Sequence, residues 1–303
     1  MKLFKNILIV GCLIALSSCS SNSQKSGGGK DDILTGNLPV LVDESVLPIL
    51  IEQIQVFESS YTNAKIEPIA KAEVQLVNSL IGGEAAMAVM TRELNDQERK
   101  SFDQRSIKPR IYKVGYDGIV LLKHISSTDS SIRIADISNL MKGERYNGAS
   151  LVFDNLNGSA FRYLKERANV DKVANTFVEG KSSLQEMLEE VEQSPNKIGV
   201  LSLNQYLSLE SSFSKKDKFR ILSVQNDSLA SKKYVKPSQA TLSTNEYPLK
   251  RDILVLNYQP NMGLGIGFSA FMTGDRGQRI VLKSGLLPAT MPGREIIIRD
   301  KIN

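Results

Sequence analysis

The stretch VFDNLNGSAFRYLKER, which runs from Val152 to Arg167, joins the end of an apolar strand pattern to the start of an amphipathic helix pattern. The helical spacing begins at Ser159, after a turn rich in Asp, Asn and Gly. One interpretation of the turn is structural, because serine is a preferred N-cap and Asn-Gly turns tightly without strain. The other is functional, because free amides and the dipole at a helix start attract anions. The stretch by itself favours the structural interpretation, since most such junctions bind nothing.

The same strand-turn-helix unit recurs along most of the chain. Apolar runs predict strands at 38–42, 65–69, 86–90, 114–123, 150–153, 198–203 and 252–257. Helical spacing predicts helices at 45–61, 74–81, 159–168, 183–193 and 267–284. Asn95 and Glu98 have the spacing of a capping box and predict one more helix start. The alternation predicts an α/β protein with a parallel sheet covered by helices on both faces, while residues 208–250 show little periodicity and predict surface strands and loops.

The N-terminus has the pattern of a secretory signal. Lys2 and Lys5 precede an apolar stretch that is too short to span a bilayer, and this stretch ends in Ser17-Ser18-Cys19. Small residues before a cysteine resemble the lipobox of bacterial lipoproteins, in which the cysteine carries the lipid. We therefore expect a signal peptide at residues 1–18 and a lipid anchor on Cys19 with a flexible tether through residue 35. The alternative is a plain signal peptide with a chance cysteine.

The composition excludes several classes of catalytic site. Cys12 lies in the signal and Cys19 would be acylated, so the folded part has no thiol for a disulfide, a metal site or a nucleophile. His124 is the single histidine, which excludes a multi-histidine zinc site, and its pattern is that of a structural residue at a strand end. Loss of Lys2 and Lys5 lowers the formal net charge from +5 to +3, so no nucleic-acid binding is expected.

Several segments, in order and spacing, resemble the phosphate-binding proteins of ABC importers. Beside the lipobox, they are 42–45 (VDES), 89–92 (VMTR), 114–118 (VGYDG), the opening Phe-Asp-Asn segment, 198–200 (IGV) and 247–252 (YPLKRD). The C-terminal run 263–289, GLGIGFSAFMTGDRGQRIVLKSGLLPA, is similar to theirs almost throughout. Its Gly263-Leu-Gly-Ile-Gly267 start fits no nucleotide-loop spacing and is interpreted as a lead into a helix.

The resemblance implies a type II periplasmic-binding-protein fold. In that fold two Rossmann-like α/β lobes are joined by two hinge strands, and the ligand cleft lies between the lobes. Carried onto this chain, lobe 1 comprises residues 36–116 plus 247–303, and lobe 2 comprises residues 117–246. Ligands of open α/β sheets bind beyond the carboxyl ends of the strands, where helices begin. Three such junctions on two lobes shift the interpretation of the opening stretch toward anion binding.

The resemblance also implies a set of ligand-binding residues. They are Glu44, Ser45, Ala72, Glu73, Thr91, Arg92, Asn157, Gly158, Ser159 and Ala160. Arg92 is the candidate for a two-point contact with the anion, and Ser45, Thr91 and Ser159 supply hydroxyl donors. Either Glu44 or Glu73 would accept the proton that a phosphate carries and that sulfate lacks.

Two departures from the family pattern concern the opening stretch. Gly158-Ser159-Ala160 stands where relatives have hydroxyl residues on both sides of the central position, and Asn155 stands where some branches have an arginine. Arg162 lies one turn inside the helix and is expected to point elsewhere. Losing a hydrogen bond to a charged ligand costs roughly 1.5–3 kcal/mol, so weaker affinity or a different oxyanion is an open alternative.

The function expected from the resemblance is capture of inorganic phosphate for an ABC permease in the inner membrane. The protein would act as a monomer without cofactor or metal, lipid-anchored at the periplasmic face of a bacterial membrane. Binding of sulfate or molybdate, or a non-transport lipoprotein with a degenerate cleft, remain alternatives. A phosphate-ester hydrolase is disfavoured, because it would need a metal cluster or a nucleophile with a base.

Overall fold

The structure is a computed structural model that describes residues 32–212, 216–227 and 232–293. The predicted signal peptide, Cys19 and most of the tether lie outside these residues. The described part forms one compact unit.

Strands and helices alternate along this unit as the sequence predicts. The strands are β1 Gly36–Asp43, β2 Ala64–Lys71, β3 Met87–Met90, β4 Arg110–His124, β5 Ser131–Ile132, β6 Ser150–Phe153, β7 Val178–Gly180, β8 Lys197–Ser202, β9 Phe219–Ile221, β10 Ser223–Gln225, β11 Tyr234–Val235, β12 Lys250–Asn257 and β13 Leu287–Pro288. The helices are α1 Leu47–Ser60, α2 Glu73–Gly82, α3 Asp96–Gln104, α4 Ile134–Met141, α5 Ser159–Arg167, α6 Leu184–Gln193, α7 Leu203–Ser212, α8 Gln239–Ser243, α9 Leu264–Thr273 and α10 Asp275–Lys283. Short 3-10 turns occupy Glu44–Val46 and Lys216–Lys218.

The main sheet has two parallel ends connected by antiparallel strands. Its strand order is β2-β1-β3-β12-β4-β8-β6-β7, with β9 and β13 added along β4. Strands β1, β2 and β3 are mutually parallel, and so are β6, β7 and β8. The prediction of a parallel sheet therefore holds within each end and is wrong in the centre, where β12 and β4 run antiparallel to their neighbours. These two central strands carry the chain between the ends, because β4 continues from one end into the other.

Strand β4 passes from one end of the sheet to the other at Tyr116–Gly118. Its first part pairs with β12 through Gly118, and its second part pairs with β8 from Ile119 onward. At this crossing the buried Tyr247 ring lies against Gly118, where an added Cβ would come within 3.3 Å of the ring. The Tyr247 hydroxyl donates a hydrogen bond to the Ile119 carbonyl. Backbone and ring thus fix the geometry of the crossing, close to the lobe boundaries that the sequence predicts.

The C-terminal glycine-rich segment packs tightly against neighbouring residues. Gly263 is the N-cap of α9. A Cβ on Gly267 would lie 1.7 Å from the carbonyl oxygen of Ile33, so only glycine fits this approach. The single helix predicted at 267–284 is instead two helices that meet at Gly274, and Gly285 follows the second with a φ of +88°. The interpretation of the run as a lead into a helix is consistent with this packing.

Candidate functional site

Three helical segments begin after the carboxyl ends of β1, β2 and β6, strands that belong to the two ends of the sheet. Ala72 is the N-cap of α2 and Gly158 is the N-cap of α5, and neither supplies a side-chain cap. The first amides of an α-helix have no acceptor within the helix, so both helix starts offer free donors and a positive dipole end. The Val74 amide donates to the Asn157 carbonyl at 3.2 Å, which brings these two helix starts into direct contact. These helix starts form an edge that is suited to an anion.

Ser159 does not cap its helix. It is the first residue of α5, one position after the Gly158 N-cap, and it is 1% exposed. Its Oγ lies 3.0 Å from the Oγ of Ser45, which is in the 3-10 turn after β1. The predicted serine cap is therefore wrong, because the Ser159 hydroxyl is turned toward a residue 114 positions earlier in the chain. Anion binding by this stretch stays a prediction.

A buried arginine joins these two hydroxyls. Arg251 of β12 donates from Nη2 to Ser45 Oγ at 2.8 Å and from Nη1 to Ser159 Oγ at 2.9 Å. Its Nε and Nη2 both donate to Oδ2 of Asp117, at 2.9 and 2.7 Å. Asp117 lies directly opposite Arg251 in the β4–β12 pairing, and its Oδ1 accepts the Asn204 amide at 3.0 Å. Arg251 and Asp117 have side chains 1% and 0% exposed, so the pair is fully desolvated.

The charges of this pair shape its protonation. Burial raises the pKa of Asp117, and the Arg251 guanidinium and backbone amides act against that shift. Removing one member of such a pair leaves an uncompensated buried charge, which typically costs about 3–5 kcal/mol of stability.

A second cluster of charges lies around Glu73, the first residue of α2. Glu73 Oε1 accepts from Nε of Arg92 at 2.8 Å and from Nε of Arg162 at 2.6 Å. Arg162 also reaches Oγ1 of Thr91, at 3.4 Å. The expectation that Arg162 points elsewhere is wrong, because its guanidinium connects α5 to α2 and to the turn after β3.

Arg92 is largely committed to other partners. Its Nη1 and Nη2 donate to the two carboxylate oxygens of Glu98, at 2.7 and 2.9 Å, and Nη1 also donates to the Glu93 carbonyl. Glu98 simultaneously accepts the Asn95 amide, as the predicted capping box requires. In this structure the planar two-point contact of Arg92 is thus made with a carboxylate of the protein.

Two buried carboxylate oxygens have no hydrogen-bond partner among the described residues. They are Oε2 of Glu73 and Oδ2 of Asp43. Glu73 is 2% exposed and Asp43 is 1% exposed. The other oxygen of Asp43 accepts the Ser45 amide at 2.9 Å. A buried acceptor without a donor costs free energy, so both oxygens are unusual features of the fold.

Glu44 faces a different space from Ser45. It lines a cavity of about 240 Å³ together with Asp154, Asn155, Ser182, Ser183, Leu184 and Gln205. Burial and the neighbouring charges of Asp154 and Asp43 raise the pKa of Glu44. Burial also raises the pKa of Asp154, whose Oδ2 accepts from Gln205 Nε2 at 3.1 Å. The cavity therefore combines two carboxyl groups with hydroxyl and carboxamide side chains.

The structure brings together eight of the ten residues that the resemblance implies: Ser45, Ala72, Glu73, Thr91, Arg92, Asn157, Gly158 and Ser159. Glu44 is turned toward the separate cavity. Ala160 is 4% exposed and belongs to the hydrophobic core. Which of these residues touch a ligand stays a prediction.

The residues that sequence reasoning missed are Arg251, Asp117 and the contact role of Arg162. Arg251 was visible only as part of the YPLKRD segment, and its strand pattern gives no indication of a polar partner. Asp117 pairs with Arg251 across the sheet, and it is the one carboxylate in the part of β4 that runs from Tyr116 through the apolar residues to Leu122. An acidic residue inside an apolar strand is a signal for a buried ion pair, and it was available in the sequence.

The described residues contain no group of three or more His, Cys, Asp or Glu side chains arranged to hold a metal ion. They also contain no helix that is both long and apolar enough to cross a bilayer. His124 ends β4, as predicted, and its Nδ1 lies 2.7 Å from Ser126 Oγ.

Comparison with protein families decides the classification. The model of the PBP superfamily domain matches residues 27–276. The chain belongs to this superfamily. It is a family of binding proteins rather than catalysts, in agreement with the sequence-based prediction.

Individual relatives of this PBP domain are distant. The chain is 20% identical to the phosphate-binding protein PstS of Staphylococcus epidermidis over 82% of its own length and 76% of the relative's. It is 21% identical to the PstS of Pseudomonas aeruginosa, over 91% of its own length and 89% of the relative's.

Solved structures confirm the predicted fold. A putative phosphate ABC transporter substrate-binding protein of Clostridium perfringens with bound phosphate matches with a TM-score of 0.68 and 17% identity, over 84% of this chain and 100% of that one. An ABC-type phosphate transport receptor of Vibrio cholerae matches with a TM-score of 0.64 and 14% identity, over 84% and 100%. At these identities the likeness shows the fold alone, a mixed α/β periplasmic-binding-protein fold.

Proposed function

We propose that this PBP protein binds inorganic phosphate at the Ser45–Ser159 edge and supplies it to an ABC permease. The observation that carries the proposal is the meeting of two buried serine hydroxyls, 3.0 Å apart, at helix starts from the two ends of the sheet. Uncapped helix amides and hydroxyls are the donors that a tetrahedral dianion needs. The names of the distant relatives and the phosphate in the Clostridium perfringens structure support the choice of ligand.

The donors would come from both ends of the sheet. Ser45, Thr91 and the start of α2 belong to one end, and Gly158, Ser159 and the start of α5 belong to the other. An anion held between them would connect the proposed lobes, residues 36–116 plus 247–303 and residues 117–246. Binding and closure of the cleft would then be the same event, because a full set of donors exists only when the two ends meet.

The proposed preference for phosphate over sulfate rests on Glu73. Its buried Oε2 has no partner among the described residues, while Oε1 is fixed by Arg92 and Arg162. Monohydrogen phosphate has a proton to donate to that oxygen, and sulfate has none. In this arrangement Arg92 serves the site by holding Glu73, and its proposed direct contact with the ligand would require exchange of its bond to Glu98.

The proposed setting is extracytoplasmic. The lipobox-like segment at Cys19 supports a lipid anchor at the periplasmic face of a bacterial membrane, and the relatives' names support an ABC permease in the inner membrane as the partner. We also propose that the protein acts as a monomer.

An anion panel tests the proposal. Purified mature protein is heated with phosphate, sulfate or molybdate at equal millimolar concentration, and the unfolding temperature is recorded. Phosphate should give the largest increase, because a ligand that binds only the folded state stabilises it by mass action. Equal shifts for the three anions would indicate a general oxyanion binder, and no shift with any of them would indicate a lipoprotein with a degenerate cleft.

A further inference from the structure

The bonds around Arg251 determine which way the two serine hydroxyls can donate. A guanidinium has five N–H donors and no acceptor, while a serine hydroxyl has one donor and two acceptor lone pairs. The contacts from Arg251 to Ser45 and Ser159 are therefore bonds in which both hydroxyl oxygens accept. Each hydroxyl hydrogen is left to point at some other acceptor.

An anion beside the two serines would change the partners of their hydroxyl hydrogens. One of them is used between the two oxygens, which are 3.0 Å apart, and either serine can be its donor. The second hydroxyl hydrogen has no acceptor among the described residues. An anion beside the pair would receive both hydrogens, since Arg251 continues to occupy a lone pair on each oxygen. One neutral hydrogen bond would be exchanged for two charge-assisted ones, which are about twice as strong.

Asp117 fixes the guanidinium in the orientation that this requires. Its Oδ2 accepts from both Nε and Nη2 of Arg251, and its own position is set by the sheet pairing and by the Asn204 amide. Four of the five N–H groups of Arg251 thus have a partner, and one on Nη1 remains. Because the Asp117 and Arg251 charges neutralise each other, the arginine acts through geometry more than through net charge.

We propose that Arg251 is the positioning residue of the anion site, which holds Ser45 and Ser159 as donors toward the ligand. This inference rests on the proposed oxyanion binding at the same edge. It supplies an arginine to a site whose opening turn has Asn155 and whose Arg92 is bound to Glu98. Arg251 lies on β12, 92 positions after Ser159 and 206 positions after Ser45.

A double-mutant cycle tests the coupling between Arg251 and a serine. Phosphate affinity is measured by calorimetry for the mature wild-type protein, Arg251→Lys, Ser159→Ala and the double variant. Lysine keeps the buried positive charge beside Asp117 and loses the planar fork. Each single variant should lose roughly tenfold in affinity, and the double variant should lose clearly less than the hundredfold product, because one change removes the hydroxyl through which the other acts.

Arg133→Lys is the matched control. Arg133 makes a similar two-point contact with Asp136 at the start of α4, away from the serines, so phosphate affinity should stay at the wild-type value. Losses from Arg251→Lys and Ser159→Ala that multiply independently would overturn the positioning role. If wild type itself fails to bind phosphate, the proposed function fails instead, which is a different result. Should Arg251→Lys not fold, Asp117→Asn keeps the guanidinium and releases its anchor, and the same coupling to Ser159→Ala is expected.

Discussion

At the scale of single residues, the carboxylates of the proposed anion site mainly hold arginines. Asp117 orients Arg251, and Glu73 receives both Arg92 and Arg162. These pairs leave little net positive charge at the edge where the helices begin. Recognition of an anion there depends on amides and hydroxyls in fixed directions, which favours ligands of a particular shape and protonation over anions in general.

The carboxyls of the neighbouring cavity give a prediction about pH. The pKa of Glu44 and the pKa of Asp154 are both raised, chiefly by burial, from ordinary values of 4.5 and 3.8. The folded protein therefore binds these protons more readily than the unfolded chain does. Stability from this source is complete below the ordinary pKa values and is lost as the pH rises through the raised ones. Glu44→Gln and Asp154→Asn should each unfold at a higher temperature than wild type at pH 7.

The size of that effect should depend on pH. The gain in unfolding temperature of both variants over wild type should shrink toward zero near pH 3.5. This pH is roughly at or below the pKa values of the two carboxyls in the unfolded chain, so the wild-type groups are themselves largely protonated there. Asparagine at position 154 keeps an acceptor for Gln205, so the hydrogen bond is preserved. Glu189→Gln, on the exposed face of α6, is the control and should change stability by less than about 0.5 kcal/mol at either pH. A constant advantage at all pH values would contradict the assignment to protonation.

At the scale of elements, α5 and α6 begin in chemically different ways. Gly158 precedes α5 and gives no side-chain cap, whereas Ser183 caps α6 by accepting the Glu186 amide at 3.2 Å. A cap satisfies a helix amide internally and closes it to a ligand. The uncapped start of α5 is at the proposed site, so its amides remain available to the proposed ligand.

Serine-to-alanine changes at the two starts should therefore have opposite signatures. Ser159→Ala should lower phosphate affinity by roughly tenfold, because a charge-assisted hydrogen bond is lost. Ser183→Ala should cost about 1 kcal/mol of unfolding free energy, the usual value of a lost N-cap. Calorimetric titration and chemical denaturation of both variants measure the two quantities. Phosphate affinity at the wild-type value in Ser159→Ala would leave the stretch from Val152 to Arg167 as an ordinary turn.

Individual elements show how far the sequence predicts this fold. Strand β6 lies at Ser150–Phe153, as predicted, because a short apolar run between turn residues has few alternatives. Helix α4 was missed, since only eight residues carry its pattern. The antiparallel direction of β12 was also missed, because hydrophobic periodicity reports burial and not strand direction.

The site was predicted less completely than the fold, for a physical reason. Helix starts after strands can be recognised locally, and Ser45 and Ser159 were predicted as such starts, whereas Glu73 became a candidate through the family resemblance. Arg251 is brought to the two serines by packing of segments more than 90 positions away, at separations of 92 and 206 residues. No local pattern records such a convergence, so it becomes visible only in the folded structure.

At the scale of the whole molecule, two buried hydrogen bonds connect the ends of the sheet. Ser202 Oγ donates to the Ser45 carbonyl at 2.7 Å, and the Ile49 amide donates to Asn204 Oδ1 at 3.1 Å. Both contacts connect α1 and its preceding turn with the region where β8 passes into α7. These contacts hold the donors of the proposed site in register, since Ser45 takes part in the first one and the main-chain amide of Asn204 also donates to Asp117.

The attachment of the molecule to a membrane gives the last prediction. The lipobox-like segment predicts that a lipid on Cys19 retains the mature protein on a membrane. Acyl chains anchor by burying methylenes, each contributing about 0.8 kcal/mol, and the cysteine is where they would be attached. Cys19→Ala should move the protein from the membrane fraction to the soluble extracytoplasmic fraction after cell fractionation. Cys12→Ala is the matched control, because that cysteine lies within the predicted signal, and its variant should stay with the membranes. A Cys19→Ala protein that still sediments with membranes and resists a salt wash would show that the lipobox interpretation is wrong.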